Sequence, residues 1–378
     1  MTIACVADYR AAARRRLPKV LFEYIDGGSY AETTLAANVD DLERLKLRQR
    51  VLRDVSKLAM GTELFGQNLS MPVILAPIGL GGMYARRGEV QAARAAKAAG
   101  VPFALSTVGV CTIEEVAAAA TAPWFQLYMI RDRGFMAEVL ARAQQARCPV
   151  LLFTVDLPLP SARYREVRSA LAATDLRSQI RRAVDGLAHP AWLIDVQLRG
   201  RPHSLGNVAA AGGELKNLGQ FQHWIGRNFD PSVTWRDIAW VRDRWKGPIV
   251  LKGILDPEDA REAVRCGADG VLVSNHGGRQ LDGVASSISA LPAIVQQVGG
   301  ELTVLMDGGV RSGLDVLKAL AAGARACLVG RAWAWALGAR GEAGVAHMLA
   351  ILRRELRVAM SLTGCTDVRQ AGPELLER

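Results

Sequence analysis

The sequence predicts an α/β chain built as a (β/α)8 TIM barrel, with an N-terminal helical segment and a long insertion after the fourth strand. Two observations predict it. A phrase recurs in which an alanine-rich, helix-like run meets a glycine and then a short apolar strand: AAKAAGVPFALS (95–106), EAVRCGADGVLVS (262–274) and KALAAGARACLVG (318–330). Each copy reads as a helix stopped by glycine just past its end, followed by a strand apolar enough to be buried on both faces. Five further strands, PVILAP (72–77), WFQLY (124–128), VLLFTV (150–155), PIVLK (248–252) and TVLMD (303–307), bring the count to eight. The second observation concerns where these strands end. Pro77 with Gly79, Ser106, Gln126 with Tyr128, Thr154 with Asp156, Lys252, Ser274 with His276, Asp307, and Gly330 with Arg331 form a polar series at the C-terminal tips. An open doubly wound sheet is the competing architecture, but a closed barrel gathers all these tips at one mouth, where barrels build their sites.

Along the chain, residues 1–65 read as helices and loops closing the barrel's floor or flank, and residues 66–378 as the barrel, so that 1–378 is a single domain. Strand four ends near 155 and strand five starts near 248, so residues 165–245 hold an insertion. Its first part is basic, with eight arginines against four acids over 161–201, and it continues through the apolar string GLAHPAWLIDVQL. A long excursion at a barrel mouth suits a lid or a docking surface.

The 47 Lys and Arg against 37 Asp and Glu give a net charge of +10, which favours anionic partners such as small acids, anionic lipid or nucleic acid. Six cysteines (5, 111, 148, 266, 327, 365) carry no CxxC pair or metal-ligand spacing, so free thiols in a reducing compartment are expected. The start of the chain has Asp8 and Arg10 where a signal peptide needs an apolar core. No run of eighteen apolar residues is present, so any membrane association is expected to be peripheral.

The chemistry concentrates in SNHGGRQLDG (274–283). His276 leaves a buried strand beside two glycines that permit close backbone approach, and Asp156 on a neighbouring strand is the carboxylate expected to orient it as a base. Arg279 and Arg163 are guanidinium forks suited to a substrate carboxylate, with Tyr24 and Tyr128 available to complete the grip. The glycine-rich turns DGGVRSG (307–313) and VGRA (329–332) follow strands seven and eight, where barrels commonly bind phosphate through backbone amides and a helix N-terminus; Arg311 and Arg331 stand beside them. Lys252, alone in IVLKGI, is costly to bury without an electron-rich partner or a function: it suits a Schiff-base lysine, which would imply aldolase chemistry, or a positive charge held against a flavin ring. His189, His203, His223 and His347 lack such surroundings and read as structural or surface. A GxGxxG after the first strand, a P-loop lysine and a metal-ligand cluster are all missing from the sequence. Nucleic acid is not an expected partner, because the arginines gather at the mouth rather than on an aromatic-laced stripe.

SNHGGRQLDG, with KGI before it and DGGVRSG and GRA after it, resembles the FMN-dependent α-hydroxy acid dehydrogenases and oxidases over nearly the whole chain. LFEYIDGGSYAE, GMYARRGEVQAA, ARYR, GRPHSLGN, NFDPS and KGILDPEDAR are most similar to the bacterial, quinone-linked, L-lactate-oxidising members. The resemblance implies FMN over Pro77–Gly79, its ring touched by Ser106, Gln126, Thr154, Lys252 and Ser274, its phosphate near Asp307, Gly309, Arg311, Gly330 and Arg331. It implies His276 as base with Asp156 as its partner, Arg163 and Arg279 on the substrate carboxylate, and Tyr24 and Tyr128 at its carboxylate or hydroxyl. It implies a small 2-hydroxy acid as substrate, either L-lactate or another such as mandelate or glycolate. It further implies quinone as acceptor, with oxygen as the alternative, and a homotetramer lying peripherally on the cytoplasmic face of the bacterial inner membrane. Gly79 stands where oxygen-using relatives often carry alanine, and no haem domain is expected ahead of the chain.

Overall fold

The computed structural model describes residues 2–171, 173, 175–208 and 224–377. Helices α1 (Val6–Arg16), α2 (Lys19–Asp26) and α3 (Thr33–Arg44) precede the barrel. Its strands are β1 (Val73–Leu75), β2 (Ala104–Ser106), β3 (Trp124–Tyr128), β4 (Leu151–Thr154), β5 (Ile249–Ile254), β6 (Gly270–Val273), β7 (Thr303–Asp307) and β8 (Cys327–Val329). Neighbours pair in parallel around the sheet, β8 returns to β1, and a parallel bridge between Leu75 and Phe103 closes the ring. All eight expected strands are present.

The helices between them are α4 (Gly88–Ala99), α5 (Ile113–Ala119), α6 (Arg133–Gln145), α7 (Tyr164–Arg168), α8 (Leu176–Leu187), α9 (Arg236–Arg244), α10 (Pro257–Arg265), α11 (Ser287–Val298), α12 (Gly313–Ala321) and α13 (Arg331–Thr363), the last kinked at Arg340–Gly341. The glycines read as helix stops behave as such: Gly100, Gly267 and Gly323 have φ of +68°, +73° and +106°. Only glycine adopts that region without strain, so each helix ends and the chain turns into the next strand.

Strand residues alternate between two apolar sets. Ile74, Ala104, Trp124, Leu152, Val250, Leu272, Leu305 and Leu328 fill the barrel interior, while their neighbours, such as Leu105, Phe125, Phe153, Leu251 and Met306, pack under the helices. Because side chains repeat every second residue, the next inward position on each strand is fixed: Ala76, Ser106, Gln126, Thr154, Lys252, Ser274, Asp307 and Gly330. The polar tips are thus one layer of the barrel, stacked directly above an apolar one.

Below the interior layer lies a hairpin, Thr62–Leu64 paired with Gln67–Leu69, which the reading of residues 1–65 as helices and loops does not include. It straddles the expected boundary at 65. Leu64 and Leu69 join the interior cluster, Phe65 meets Trp124 edge to face at 5.8 Å, and the Trp124 indole N–H donates to Gln67. The floor is therefore plugged.

Between β4 and β5 the chain makes its excursion. Helix α7 is tied to the N-terminal segment through Arg165, which pairs with Glu23 and Asp26, and Asp26 also binds Arg10 at 2.6 Å. Burial would raise the Asp26 pKa, but the two guanidiniums override it and hold the carboxyl below its ordinary value. Helix α9, inside the stretch assigned to the insertion, buries Ile238 and Val241 and packs beside α6 as the helical half of a barrel unit. Its presence there trims the excursion to the residues ahead of it.

Candidate active site

The loop after β6 has an unusual backbone. His276, Gly277 and Gly278 are all left-handed, with φ of +58°, +66° and +70°. For the two glycines the reason is contact as well as conformation: a Cβ on Gly277 would lie 2.8 Å from Arg331 Nη1, and one on Gly278 would lie 2.6 Å from the Leu35 backbone N. His276 alone carries strain, which surrounding bonds hold in place. Its amide donates to Ser274 Oγ, Asn275 exchanges amide bonds with Asn38, and Ser29 N donates to Gly278 O. This turn carries the imidazole to the cavity wall.

There His276 Nδ1 lies 2.8 Å from Asp156 Oδ1. Burial opposes ionisation of Asp156, yet His276 and Lys252 together hold its pKa below the ordinary value, so it is a carboxylate. An ionised partner fixes the proton on Nδ1 and leaves Nε2 with its lone pair. Burial lowers the His276 pKa, with Lys252 and Arg163 adding to it, against the raising influence of Asp156. The imidazole is thus a neutral acceptor whose cationic form has a carboxylate waiting. Space for Asp156 comes from Gly253, at a β-bulge between Lys252 and Ile254, where a Cβ would sit 2.5 Å from Asp156 Cβ.

A cavity of about 500 Å³ opens above the polar layer, lined by His276, Arg279, Arg163, Tyr24, Tyr128, Lys252, Pro77, Gly79, Asp307, Gly309, Arg311, Gly330 and Arg331. Four expected contacts, Ser106, Gln126, Thr154 and Ser274, do not line it directly. They form a buried band beside it: Ser106 Oγ donates to Gln126 Oε1, Gln126 Nε2 to Thr154 Oγ1, and Lys252 Nζ to Ser274 Oγ at 2.6 Å.

At the phosphate end two expectations change. Asp307 accepts from Lys252 Nζ at 2.8 Å, so its charge balances the lysine instead of confronting a phosphate. The amides of Arg311 and Ser312, at the start of α12, both donate to Asp315 Oδ2, so this helix N-terminus is already capped by its own chain. What remains is the left-handed Gly308–Gly309 turn and two guanidiniums, that of Arg331 buried and that of Arg311 half-buried. Burial lowers the Arg311 pKa to about 10, and burial with Arg279 and Arg311 lowers that of Arg331. Three N–H groups of Arg331 go to the carbonyls of Ile25, Gly27 and Gly277. Arg311 lies 4.9 Å from the Trp335 ring centroid and donates to Val310 O. Buried cations in this state gain from an anion, and Asp307 Oδ1, buried without a partner among the described residues, is set to accept from a hydroxyl. The residues fit FMN.

At the opposite end Arg279 stacks over Tyr24 at 4.8 Å and donates to the carbonyls of Tyr24 and Gly27. Tyr128 lies tilted on Phe229 at 4.7 Å. Burial raises the pKa of both tyrosines, which keeps their hydroxyls protonated as donors. Sequence reasoning missed Glu166, which joins Arg163 and Arg279, although its place three residues after Arg163 is a readable signal. It also missed Ile225 and Phe229, apolar wall residues from the far end of the excursion, which no local pattern marks. His189, His203 and His347 lie elsewhere, bonded to Asp185 O, Val196 O and the Tyr9 hydroxyl. His223 lies outside the described residues. Among those residues no cluster suited to a metal occurs, and all six cysteines are free, four of them buried.

The FMN-dependent dehydrogenase family matches residues 13–378. The chain belongs to that family. It is 58% identical to an L-lactate dehydrogenase of Caulobacter vibrioides (strain NA1000 / CB15N), over 100% of this chain and 98% of that one. An L-lactate dehydrogenase of Xanthomonas euvesicatoria pv. vesicatoria (strain 85-10) is 57% identical, over 100% and 97%. Among solved structures, the monotopic membrane protein (S)-mandelate dehydrogenase superposes with a TM-score of 0.93 at 34% identity, covering all of both chains. A mandelate oxidase does so with 0.85 at 39%, covering 100% and 98%. The protein is an FMN-dependent hydroxy acid oxidoreductase, and its fold is the barrel expected from the strand tips.

Proposed function

We propose that the protein oxidises L-lactate to pyruvate and passes the electrons to a membrane quinone. The observation that carries the reading is the His276–Asp156 pair facing two guanidiniums across one cavity, in a chain whose full-length relatives are L-lactate dehydrogenases. Arg163 and Arg279 hold the substrate carboxylate, and Tyr24 and Tyr128 donate to its carboxylate or hydroxyl. Oxidation removes the hydroxyl hydrogen and the Cα hydrogen with two electrons. His276 Nε2 takes a proton, and Asp156 stabilises the imidazolium that results. When bound, FMN supplies the two-electron acceptor. Pro77, Gly79, Lys252 and the Ser106–Gln126–Thr154–Ser274 band serve its ring, Lys252 placing positive charge where negative charge develops. Gly309, Gly330, Arg311 and Arg331 serve its phosphate, and Asp307 accepts from a ribityl hydroxyl through Oδ1.

A membrane role is supported by α8. Leu176, Ile180, Val184 and Leu187 fall on one stripe and are all more than half exposed, with Arg177 and Arg181 beside them. Apolar insertion and basic charge together bind an anionic surface, and a structural relative is monotopic. Among the described residues no helix is long and apolar enough to cross a membrane. Six free thiols suit the reducing, cytoplasmic face of a bacterial inner membrane. Mandelate is the second reading, favoured by the solved relatives and by the apolar wall of Val108, Leu157, Ile225 and Phe229.

The test is anaerobic mixing of purified holoenzyme with L-lactate while the visible flavin absorbance is followed, then addition of a ubiquinone analogue or oxygen. Bleaching by L-lactate and faster recovery with quinone is the expected result. Bleaching by mandelate alone selects the second reading, and faster recovery with oxygen makes the enzyme an oxidase.

A further inference from the structure

The two guanidiniums assigned to the substrate carboxylate already hold a carboxylate of the protein. Glu166 Oε1 accepts from Arg163 Nη1 at 3.2 Å and from Arg279 Nη2 at 3.0 Å, and the glutamate side chain is only 4% exposed. It lines the same cavity as His276. Arg279 is thereby fixed on both sides, by the Tyr24 and Gly27 carbonyls through Nη1 and by Glu166 through Nη2. Arg163 is fixed by Arg279 O, Gln280 Oε1 and Glu166. Glu166 is the residue the two forks share.

Charge balance makes this more than a brace. Among the described residues, Lys252 is matched by Asp307 and Arg165 by Glu23 and Asp26, while His276 is neutral, so the Asp156 carboxylate behind it adds a negative charge to the cavity wall. Arg311 and Arg331 belong to the phosphate end. Arg163, Arg279 and Glu166 by themselves make two guanidiniums and one carboxylate, a group of single positive charge, in a cavity where Coulomb interactions exceed their strength in water. One substrate carboxylate neutralises it. A second carboxylate would find no remaining charge and would face Glu166.

We infer that Glu166 is a positioning and specificity-determining residue that restricts the site to monocarboxylate 2-hydroxy acids. The inference rests on the assignment of Arg163 and Arg279 to the substrate carboxylate made above. Glu166 does not touch the reacting atoms; it sets the orientation of both guanidiniums and the charge they present.

Propionate and malonate differ by a methyl against a carboxylate and carry no hydroxyl to oxidise, so their dissociation constants on the oxidised holoenzyme read the charge balance without turnover. Glu166→Gln keeps an acceptor at the same reach and removes the charge. It is expected to strengthen malonate relative to propionate by about tenfold or more, while Glu166→Asp keeps the preference of the unsubstituted protein. A malonate-to-propionate ratio that does not change in Glu166→Gln overturns the proposal. A second measurement needs no variant: the unsubstituted holoenzyme should bind monomethyl malonate about tenfold more tightly than malonate, and equal affinity also overturns it. These ratios are independent of the oxidation test. If L-lactate fails to bleach the flavin while the ratios behave as expected, the substrate reading fails and the role of Glu166 stands.

Discussion

At the scale of single residues, His276, proposed above as the base, is defined by what surrounds it. His276 must be neutral to accept a proton, so turnover rises with pH through its pKa and is lost on the acid side. Burial, helped by Lys252 and Arg163, places that pKa below the ordinary histidine value of 6.5, despite Asp156. The acid limb of kcat/KM therefore lies below that of a free imidazole. In Asp156→Asn the influence that most favours the imidazolium is gone, so the limb moves to still lower pH. The maximal rate of flavin reduction falls by about a hundredfold to a thousandfold, because the tautomer and the cationic product lose their support. A pH profile of stopped-flow reduction checks both, and an unshifted limb would separate Asp156 from the base.

Much of this pair was legible, since His276 and Asp156 each end a strand and strand ends converge. Glu166 was harder to see because it lies on a short helix of the excursion, where the two-residue period that sorts inward from outward no longer applies. Asp307 was legible only in part for a related reason: its position was readable, but its charge partner, Lys252, lies on a strand 55 residues earlier, and register across a barrel cannot be read from either strand alone.

At the scale of elements, glycines do two different jobs. Gly267 ends α10 in open space, with no atom within 4 Å of a built Cβ, whereas Gly253 has φ of +108° and lies against Asp156. Gly267→Ala should cost only the left-handed strain, about 1 kcal/mol, and keep full activity. Gly253→Ala should cost about 2 kcal/mol or more and displace Asp156, so activity falls with stability. Thermal unfolding and steady-state rates on the two proteins distinguish conformation from contact. Helix stops such as Gly267 were readable as a repeated phrase. The bulge at Gly253 was not, because KGI reads equally well as a regular strand.

Helix α8 gives the other element-scale expectation. Placing aspartate at Ile180 and Val184 adds charge to the centre of its apolar stripe without touching the cavity. Co-sedimentation with anionic vesicles should fall by more than tenfold, since each buried aliphatic side chain contributes about 1.5–3 kcal/mol. Flavin reduction by L-lactate should remain within about twofold, because exposed substitutions remote from the site perturb it little. Binding to vesicles that survives the double substitution would move the contact off this helix.

For the whole molecule, the barrel itself was the most legible level. Helix stop, strand and polar tip repeat along the chain, and each repeat is a local pattern. The hairpin beneath the barrel was not, because its strands are three residues each and its purpose is met only when Phe65 reaches Trp124. That plug has a consequence for turnover. With the bottom stoppered by Leu64, Phe65 and Leu69, the mouth is the doorway that the described residues offer, and the donor of electrons and their recipient are expected to share it. On that expectation the keto acid leaves before the oxidant enters, and each cycle splits into two half-reactions. Double-reciprocal plots at several acceptor concentrations should then run parallel, whereas lines that intersect would mean a second way in.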